Sequence, residues 1–461
     1  MAVVSQKKGV ENWSSRLTFL MASIGFSVGL GNIWRFPYVV GENGGAAFIL
    51  IYLACALCIG VPLVMSEWAI GRSAKQASSA SGSFKIVAQD NKLSTKWAAV
   101  GGIGIIAVFM MMLTYTVIAG WTMDYFIMAA SDEFNNLNAE KSQSIFNNLL
   151  SNPARLIFWH TLVILITILV NARGVQGGIE KAVNILMPSL FVCLLAMVIY
   201  ANVVGDMYAA LNFLLTPDFS VISGETFLLA LGQAFFSIGI AMAVMITYGS
   251  YLNENEPIMQ SAFIVVFADT FVAMLAGFAI FPLVFANGMT PDAGSGLVFQ
   301  VLPIALGDMP GGRIFSGVFF LLLIAAALTS CIGNFEPIVA WASEKLALSR
   351  KKATIVSGAI LWLLGITSVL SLNVLKDFHP LGFFSVLEGK TIFESLDYIS
   401  ASILLPIGGF LTAIFVGWMI PANTMKKHLG IKEYQFKIWS LLVRYIAPIA
   451  IFIVFISGVT G

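Results

Sequence analysis

The residues predict an all-α membrane protein of eleven transmembrane helices, folded as one transmembrane domain over residues 1–461. Three observations carry this. The chain is 58% hydrophobic and only 11% charged, where a soluble domain carries about 25% charged residues. Its apolar residues fall in runs of about 20, long enough to cross a bilayer as helix. Its basic residues crowd into alternate loops, the mark of a chain that threads a membrane repeatedly.

The expected spans are roughly 14–39, 45–70, 97–128, 155–171, 182–204, 227–252, 259–286, 313–344, 353–371, 396–421 and 437–459. Each should be helical, because backbone polar groups in lipid must be satisfied within the segment. One set of loops holds Lys7 and Lys8, then Arg72, Lys75, Lys85, Lys92 and Lys96, then Arg173 and Lys181, then Lys345, Arg350, Lys351 and Lys352, then Lys426, Lys427, Lys432 and Lys437. The opposite set holds Lys141, Arg155, Arg313, Lys376 and Lys390 among Asp132, Glu133, Asp206, Asp218, Asp292 and Asp308. The positive-inside rule then puts the N-terminus in the cytoplasm and the C-terminus outside, in a cell inner (plasma) membrane. One inside loop, 253–257, dissents with Glu254 and Glu256 and no base. Two other loops, 287–312 and 372–395, are long enough for re-entrant or lid structures.

Composition also excludes. The net charge of +1 and the lack of a basic stripe point to no nucleic-acid partner. Cys55 and Cys58 have a CxxC spacing, but with no second Cys/His pair nearby they read as small packing residues, like Cys193 and Cys331. His160, His379 and His428 are too scattered to suggest a metal cluster. The polar tail from Met1 to Asn12 leads into an apolar segment with no small-residue cleavage site, so no cleaved signal is expected. No nucleophile–base pair or phosphate-binding loop suggests an enzyme.

Two spans should break. Span 1 carries Gly25, Gly29 and Gly31, each costing a helix about 1 kcal/mol relative to Ala. Gly25 and Gly29 also form a GxxxG, whose plain meaning is close helix packing. Packing does not explain Ser27, Asn32 and Arg35 in the same span, and a charged residue there is costly. Span 6 has Ser237 and Gly239 at mid-span. Two interrupted helices five apart fit an inverted repeat, in which an odd number of crossings forces opposite orientation. Repeat one would cover about 14–204, repeat two about 227–421, and 437–459 would be an extra helix. Broken helices free carbonyls that can hold a cation and N–H groups that can hold a carboxylate.

Asn32-Ile33-Trp34-Arg35-Phe36-Pro37-Tyr38, followed by 42–48 (ENGGAAF), resembles the signature of the neurotransmitter:sodium symporter family. The similarity continues through Val61-Pro62-Leu63, Glu67–Arg72, Gln233–Ser237, Thr247–Tyr251 and Leu328-Thr329-Ser330, over essentially the whole chain. Eleven helices and short loops resemble its prokaryotic branch of LeuT-type amino acid transporters. The resemblance implies sodium-coupled symport by alternating access, with two sodium (Na+) sites. The first would use the carbonyl of Ser27, the side chains of Asn32, Ser237 and Asp269, and the substrate's own carboxylate. The second would use carbonyls of Gly25, Val28 and Ala326 with hydroxyls of Thr329 and Ser330. Alternatively, Thr329 and Ser330 merely back-bond within their helix. Asp269 stands where many relatives have an amide, so its built-in charge implies no need for chloride. It could also carry a returning proton.

Gly29 stands where amine-carrying relatives have Asp, which implies a substrate that brings its own carboxylate: a neutral amino acid. The carboxylate would meet N–H groups of Leu30 and Gly31 and the hydroxyl of Tyr115. The amine would meet carbonyls of Ser27, Phe236 and Gly239 and the Ser237 hydroxyl. Met111, Tyr115, Phe236, Ile240, Ala241, Met242, Ser330, Cys331 and Asn334 would line the side-chain pocket. Ala241 and Ala243 where glycine is frequent, and Met111 for a smaller residue, favour a small or slightly polar substrate. The adaptable Met111 and Met242 leave larger hydrophobic or aromatic ones open.

The resemblance also places gates. Arg35 would pair with Asp397 outside, above Tyr115 and Phe236. Trp13, Tyr251, Glu336 and Glu344 would close the inside, where Val10 stands for the usual arginine and Lys7 or Lys8 is the possible substitute. Glu67 would cap the break in helix 6. Gly178 and Pro188 keep a spacing tied to unwinding of helix 5, or mark an ordinary proline kink. The partners implied are the amino acid, sodium ions and membrane lipid, with the chain a monomer or weak dimer. The rival classes are a channel or substrate sensor on this scaffold, and the amino-acid–polyamine carriers, which lack the Asn32–Phe36 motif.

Overall fold

The computed structural model describes residues 11–291 and 296–460, the last by its backbone alone. Lys7, Lys8, Val10 and Asp292 lie outside the described residues. All regular structure among those described is helical, without a strand. Among the described residues nine helices are long and apolar enough to cross a membrane, and one bent pair makes up to ten. Their ends fall within a few residues of the spans read from the sequence.

The first span breaks where its glycines cluster. Ser15 caps the helix Arg16–Ser27 by accepting from the Thr18 N–H, with Thr18 returning the favour. Val28 is extended, a π-turn Gly31–Arg35 follows, and the chain resumes as Phe36–Glu42 with a bend of 48°. The second break lies between Gly224–Ile238 and Val244–Ser250. Gly239 ends the first half in the left-handed region at φ 75°. Ala241 and Ala243 also hold positive φ, 65° and 61°, strained for a side chain with a Cβ. Glu67 accepts the Ala241 N–H at 2.8 Å within this irregular stretch.

The halves of this broken helix lean on different parts of one neighbour. Gly224–Ile238 packs on Ala46–Cys55, and Val244–Ser250 packs on Val61–Ser73. The second crossing is close: a Cβ on Gly71 would stand 2.0 Å from the Ile246 carbonyl oxygen. The long helices Ala98–Ala130 and Gly312–Lys345 pack together, and the latter also packs against Arg16–Ser27.

The acidic loop at 253–257 is neutralised by its surroundings. Arg16 pairs with Glu256 at 3.0 Å, Lys75 pairs with Glu254, and Arg72 donates to both backbone carbonyls. Its lack of a base is thus made good by neighbouring segments. Within 287–312, the short apolar helices Leu297–Val301 and Leu302–Gly307 set Phe299 against Trp34, Trp121 and Tyr125. Gly178 sits in a π-turn, Val175–Ile179, that runs into the unbroken helix Glu180–Val204 containing Pro188. Helix 5 is therefore wound here. A Cβ on Gly178 would meet the Val170 carbonyl oxygen at 2.0 Å, so the glycine lets the turn close.

Candidate functional site

The two breaks face each other across a buried polar cluster. Asn32 Nδ2 donates to Asp269 Oδ1 at 2.8 Å, to the Asp269 carbonyl at 2.9 Å and to Ser237 Oγ at 3.1 Å. Ser237 Oγ donates to Asp269 Oδ2 at 2.8 Å, and the Tyr52 hydroxyl donates to the same oxygen at 3.1 Å. Asn32 Oδ1 accepts the Gly29 N–H at 3.0 Å, while Ser27 Oγ donates to the Ile238 carbonyl. Asp269 is fully buried, and among the described residues no base stands within 4.0 Å of its carboxylate. A buried anion without a cation is costly, so a hard, oxygen-lined site with one fixed negative charge suits an alkali cation. Tyr52 is not among the residues expected from the sequence. A tyrosine hydroxyl at mid-span needs a partner, and that was its signal.

The second expected cation site comes together in part. Gly25 lies against Met187 and Thr329, and Ser330 Oγ donates to the Phe26 carbonyl at 3.1 Å, just before the first break. Thr329 Oγ1 instead back-bonds to the carbonyls of Ala325 and Ala326, both at 3.0 Å. Nothing links it to Val28 by hydrogen bond in this conformation.

Beside the cation cluster lies a small cavity of about 20 Å³. Its lining includes Ser27, Gly29, Gly31, Met111, Tyr115, Phe236, Ser237, Gly239, Met242, Ser330 and Asn334. The Leu30 N–H points at the Tyr115 hydroxyl, 3.2 Å away. Asn334 is buried in this lining with its Oδ1 unpaired. Three expected lining residues are corrected. Ile240 is fully buried and turns toward Gly60. The Ala241 methyl packs on Gly408, because its N–H is held by Glu67. Cys331 is buried outside the lining. Phe26 lines the cavity instead, edge-on to Tyr248.

Gly29 has no spare room. A Cβ there would stand 2.3 Å from Ser330 Oγ and 2.9 Å from the Tyr115 hydroxyl. Gly29→Ala is expected to weaken sodium-dependent ligand binding about tenfold, the scale of overpacking by one methyl; scintillation-proximity titration reads it directly.

On one side of this cavity, Tyr115 and Phe236 form the floor of a second one of about 200 Å³, which Arg35 and Asp397 also line. Here the expected outer ion pair is corrected: Arg35 and Asp397 are not within 4.0 Å. The Arg35 guanidinium lies over the Phe236 ring, 4.7 Å from its centre, with the cavity between it and the acid.

The opposite end is closed. Trp13 is buried, donates from Nε1 to the Tyr248 carbonyl at 3.1 Å, and stacks edge-on against Tyr248. The Tyr251 hydroxyl donates to Glu336 Oε1 at 2.7 Å. Arg350 grips both oxygens of the fully buried Glu336, at 2.8 and 2.6 Å, and also donates to the Asn171 carbonyl. Glu11 stands 3.5 Å from Arg350 and accepts the Val175 N–H at 2.6 Å. Glu344 does not join this network. It accepts from the N–H groups of Ser78 and Ser79, at the start of the helix Ala80–Asp90. Arg350 was not expected at this end, because the charge pattern disguises it as one base of a basic cluster. The signal for it was Glu336: an acid inside a span demands a cation.

Comparison with known proteins gives the family. The model of the sodium:neurotransmitter symporter family matches residues 10–148 and 140–461. A sodium-dependent transporter of Haemophilus influenzae is 36% identical, covering 99% of this chain and all of that one. The sodium-dependent transporter YhdH of Bacillus subtilis is also 36% identical, over 98% of each. Among solved structures, MhsT in complex with L-phenylalanine superposes with a TM-score of 0.88 at 41% identity, covering 98% of this chain and all of the other. Two opposed helix breaks around a buried carboxylate, on an all-helical membrane scaffold, thus sit in a chain that belongs to the sodium:neurotransmitter symporter family and is a sodium-dependent symporter.

Proposed function

We propose that this chain carries a neutral amino acid into the cell together with sodium, by alternating access and without chloride. The observation that carries this is the Asp269 carboxylate at the junction of the two breaks, bonded to Asn32 and Ser237. Swapping the ends of the Asn32 amide would present its oxygen to a cation between Ser27, Ser237 and Asp269. Gly29 leaves the neighbouring cavity without an acid, so a substrate carboxylate would complete that site. Its other partners are the N–H groups of Leu30 and Gly31 and the Tyr115 hydroxyl. The Gly25, Val28 and Ala326 carbonyls, with Thr329 and Ser330, form the second sodium site once Thr329 turns from its back-bond.

The proposed scaffold has eleven helices in a five-plus-five inverted repeat, with the N-terminus cytoplasmic in the cell inner membrane. The outer cavity and sealed inner end correspond to a carrier waiting for cargo from outside. Each cargo needs the other to finish its coordination, and that shared coordination is the coupling. The test is uptake of labelled alanine into proteoliposomes under an inward sodium gradient. Accumulation should persist when gluconate replaces chloride; loss of uptake in gluconate removes the chloride-independent assignment.

A second reading concerns substrate size. The narrow cavity favours a small amino acid. The L-phenylalanine bound by a relative of 41% identity favours a larger one, which Met111 and Met242 could accommodate by changing rotamer. Competition of alanine uptake by leucine, phenylalanine and tryptophan separates them.

A further inference from the structure

An exposed apolar groove lies where the helices Leu405–Ile414 and Ala447–Thr460 pack together, and it shares no lining residue with the two cavities of the site. Each meets a π-turn at the same end, Phe415–Met419 and Leu442–Ile446. Gly417 allows the close approach: a Cβ on it would stand 3.1 Å from Arg444 Cγ. Trp418 Nε1 donates to the Arg444 carbonyl, and Arg444 Nε donates to the Gly417 carbonyl, so two residues satisfy backbone groups at the turns. The groove beside them has about 480 Å³ and an almost wholly apolar wall that includes Ile414, Tyr445, Ile449, Phe452 and Ile453.

Arg444 is the unexplained feature. It lines this groove, yet among the described residues no carboxylate lies within 4.0 Å of it. Among the described residues its Nε has a protein acceptor and its two terminal nitrogens have none. An arginine within a span is costly unless its charge is met. Trp418 and Tyr445, 54% and 48% exposed and edge-on at 5.5 Å, mark the depth of an aromatic interfacial belt. Lys437 lies two helical turns nearer the polar end of the same helix and adds positive charge toward the headgroups.

We propose that this groove binds an anionic glycerophospholipid, its phosphate on the Arg444 fork and one acyl chain along Ile449, Phe452 and Ile453. The lipid would meet a charge the protein leaves unmet and brace the two π-turns against each other. A zwitterionic lipid could fill the apolar trough but would bring a cation of its own to Arg444.

The test uses the full chain in nanodiscs of equal phosphatidylglycerol and phosphatidylethanolamine, with retained lipid read by native mass spectrometry. Wild type should retain phosphatidylglycerol about fivefold over phosphatidylethanolamine, the scale of one basic residue at a membrane surface. Arg444→Gln, which can still donate to the Gly417 carbonyl, should lose that preference, and Arg444→Lys should keep it. A measurement on wild type guards against misfolded variants: brominated phosphatidylglycerol should quench Trp418 more than brominated phosphatidylethanolamine, with Trp418→Phe as the blank. Equal retention of both lipids by wild type, an unchanged preference in Arg444→Gln, or a second copy of the chain displacing lipid from the groove each overturns the proposal.

Discussion

Asp269→Asn is expected to raise the sodium concentration for half-maximal uptake about a hundredfold in chloride-free medium, with the protein still folded. The carboxylate is fully buried and takes hydrogen bonds from Asn32, Ser237 and Tyr52. All three partners are neutral, so the protein supplies the anion and leaves the cation to be bound. Removing one member of a buried ion pair typically costs about 3–5 kcal/mol, and about 2.7 kcal/mol is already a hundredfold in affinity. The amide keeps one acceptor oxygen for Ser237 or Tyr52, which is why folding should survive. Charge is the variable tested, so chloride should matter in the variant: a mobile anion near Tyr52 and Ser237 can replace part of what the side chain supplied. Uptake measured against sodium in gluconate and in chloride, for both proteins, gives the four curves needed. A shift below fivefold in gluconate would mean that Asp269 is not the charge of the site.

The residues made the scaffold legible because the bilayer imposes a severe rule. Any span must satisfy its own backbone, so apolar length located most of the long helices closely, while the expected span 227–252 is two shorter helices, Gly224–Ile238 and Val244–Ser250. The breaks were legible for the converse reason. Gly25, Gly29, Gly31 and Gly239 weaken helix exactly where polar side chains would otherwise be stranded, and the chain leaves helical geometry at Val28 and at Gly239. Direction around a broken turn was not legible. Ile240 and Ala241 were expected in the pocket by position, but the left-handed residues Gly239, Ala241 and Ala243 rotate them toward Gly60 and Gly408. Pairing over distance was the other gap. Arg35 and Asp397 look complementary, yet a cavity separates them, whereas Arg350 and Glu336 meet because two helices antiparallel in space bring a loop base onto a buried acid.

That last pair carries the second large prediction. Arg350→Ala should shift the carrier toward its inward-open form by about 3–5 kcal/mol, the cost of leaving a buried acid without its base. Glu336 is fully buried and held by both guanidinium nitrogens and by the Tyr251 hydroxyl. Trp13 is locked onto the same helix end through the Tyr248 and Tyr251 carbonyls, so on the proposed reading the network closes the inner path as one unit. Losing Arg350 removes the contacts to Glu336, Asn171 and Glu11 together. The inward-open form can hydrate Glu336, so the penalty falls mainly on the closed form and moves the balance between them. The readout is the labelling rate of a cysteine placed at Ser250, buried beside this network, by a membrane-impermeant thiol reagent from the cytoplasmic side. That rate should rise at least tenfold in Arg350→Ala, and apparent sodium affinity should fall with it. The double variant Arg350→Ala with Glu336→Gln separates gate from fold. Neutralising the stranded acid should return labelling most of the way to wild type, because the closed form no longer buries an unpaired charge. If labelling in the single variant equals wild type, Arg350 anchors the loop without holding the gate, and the inner closure rests on Trp13 and Tyr251 alone.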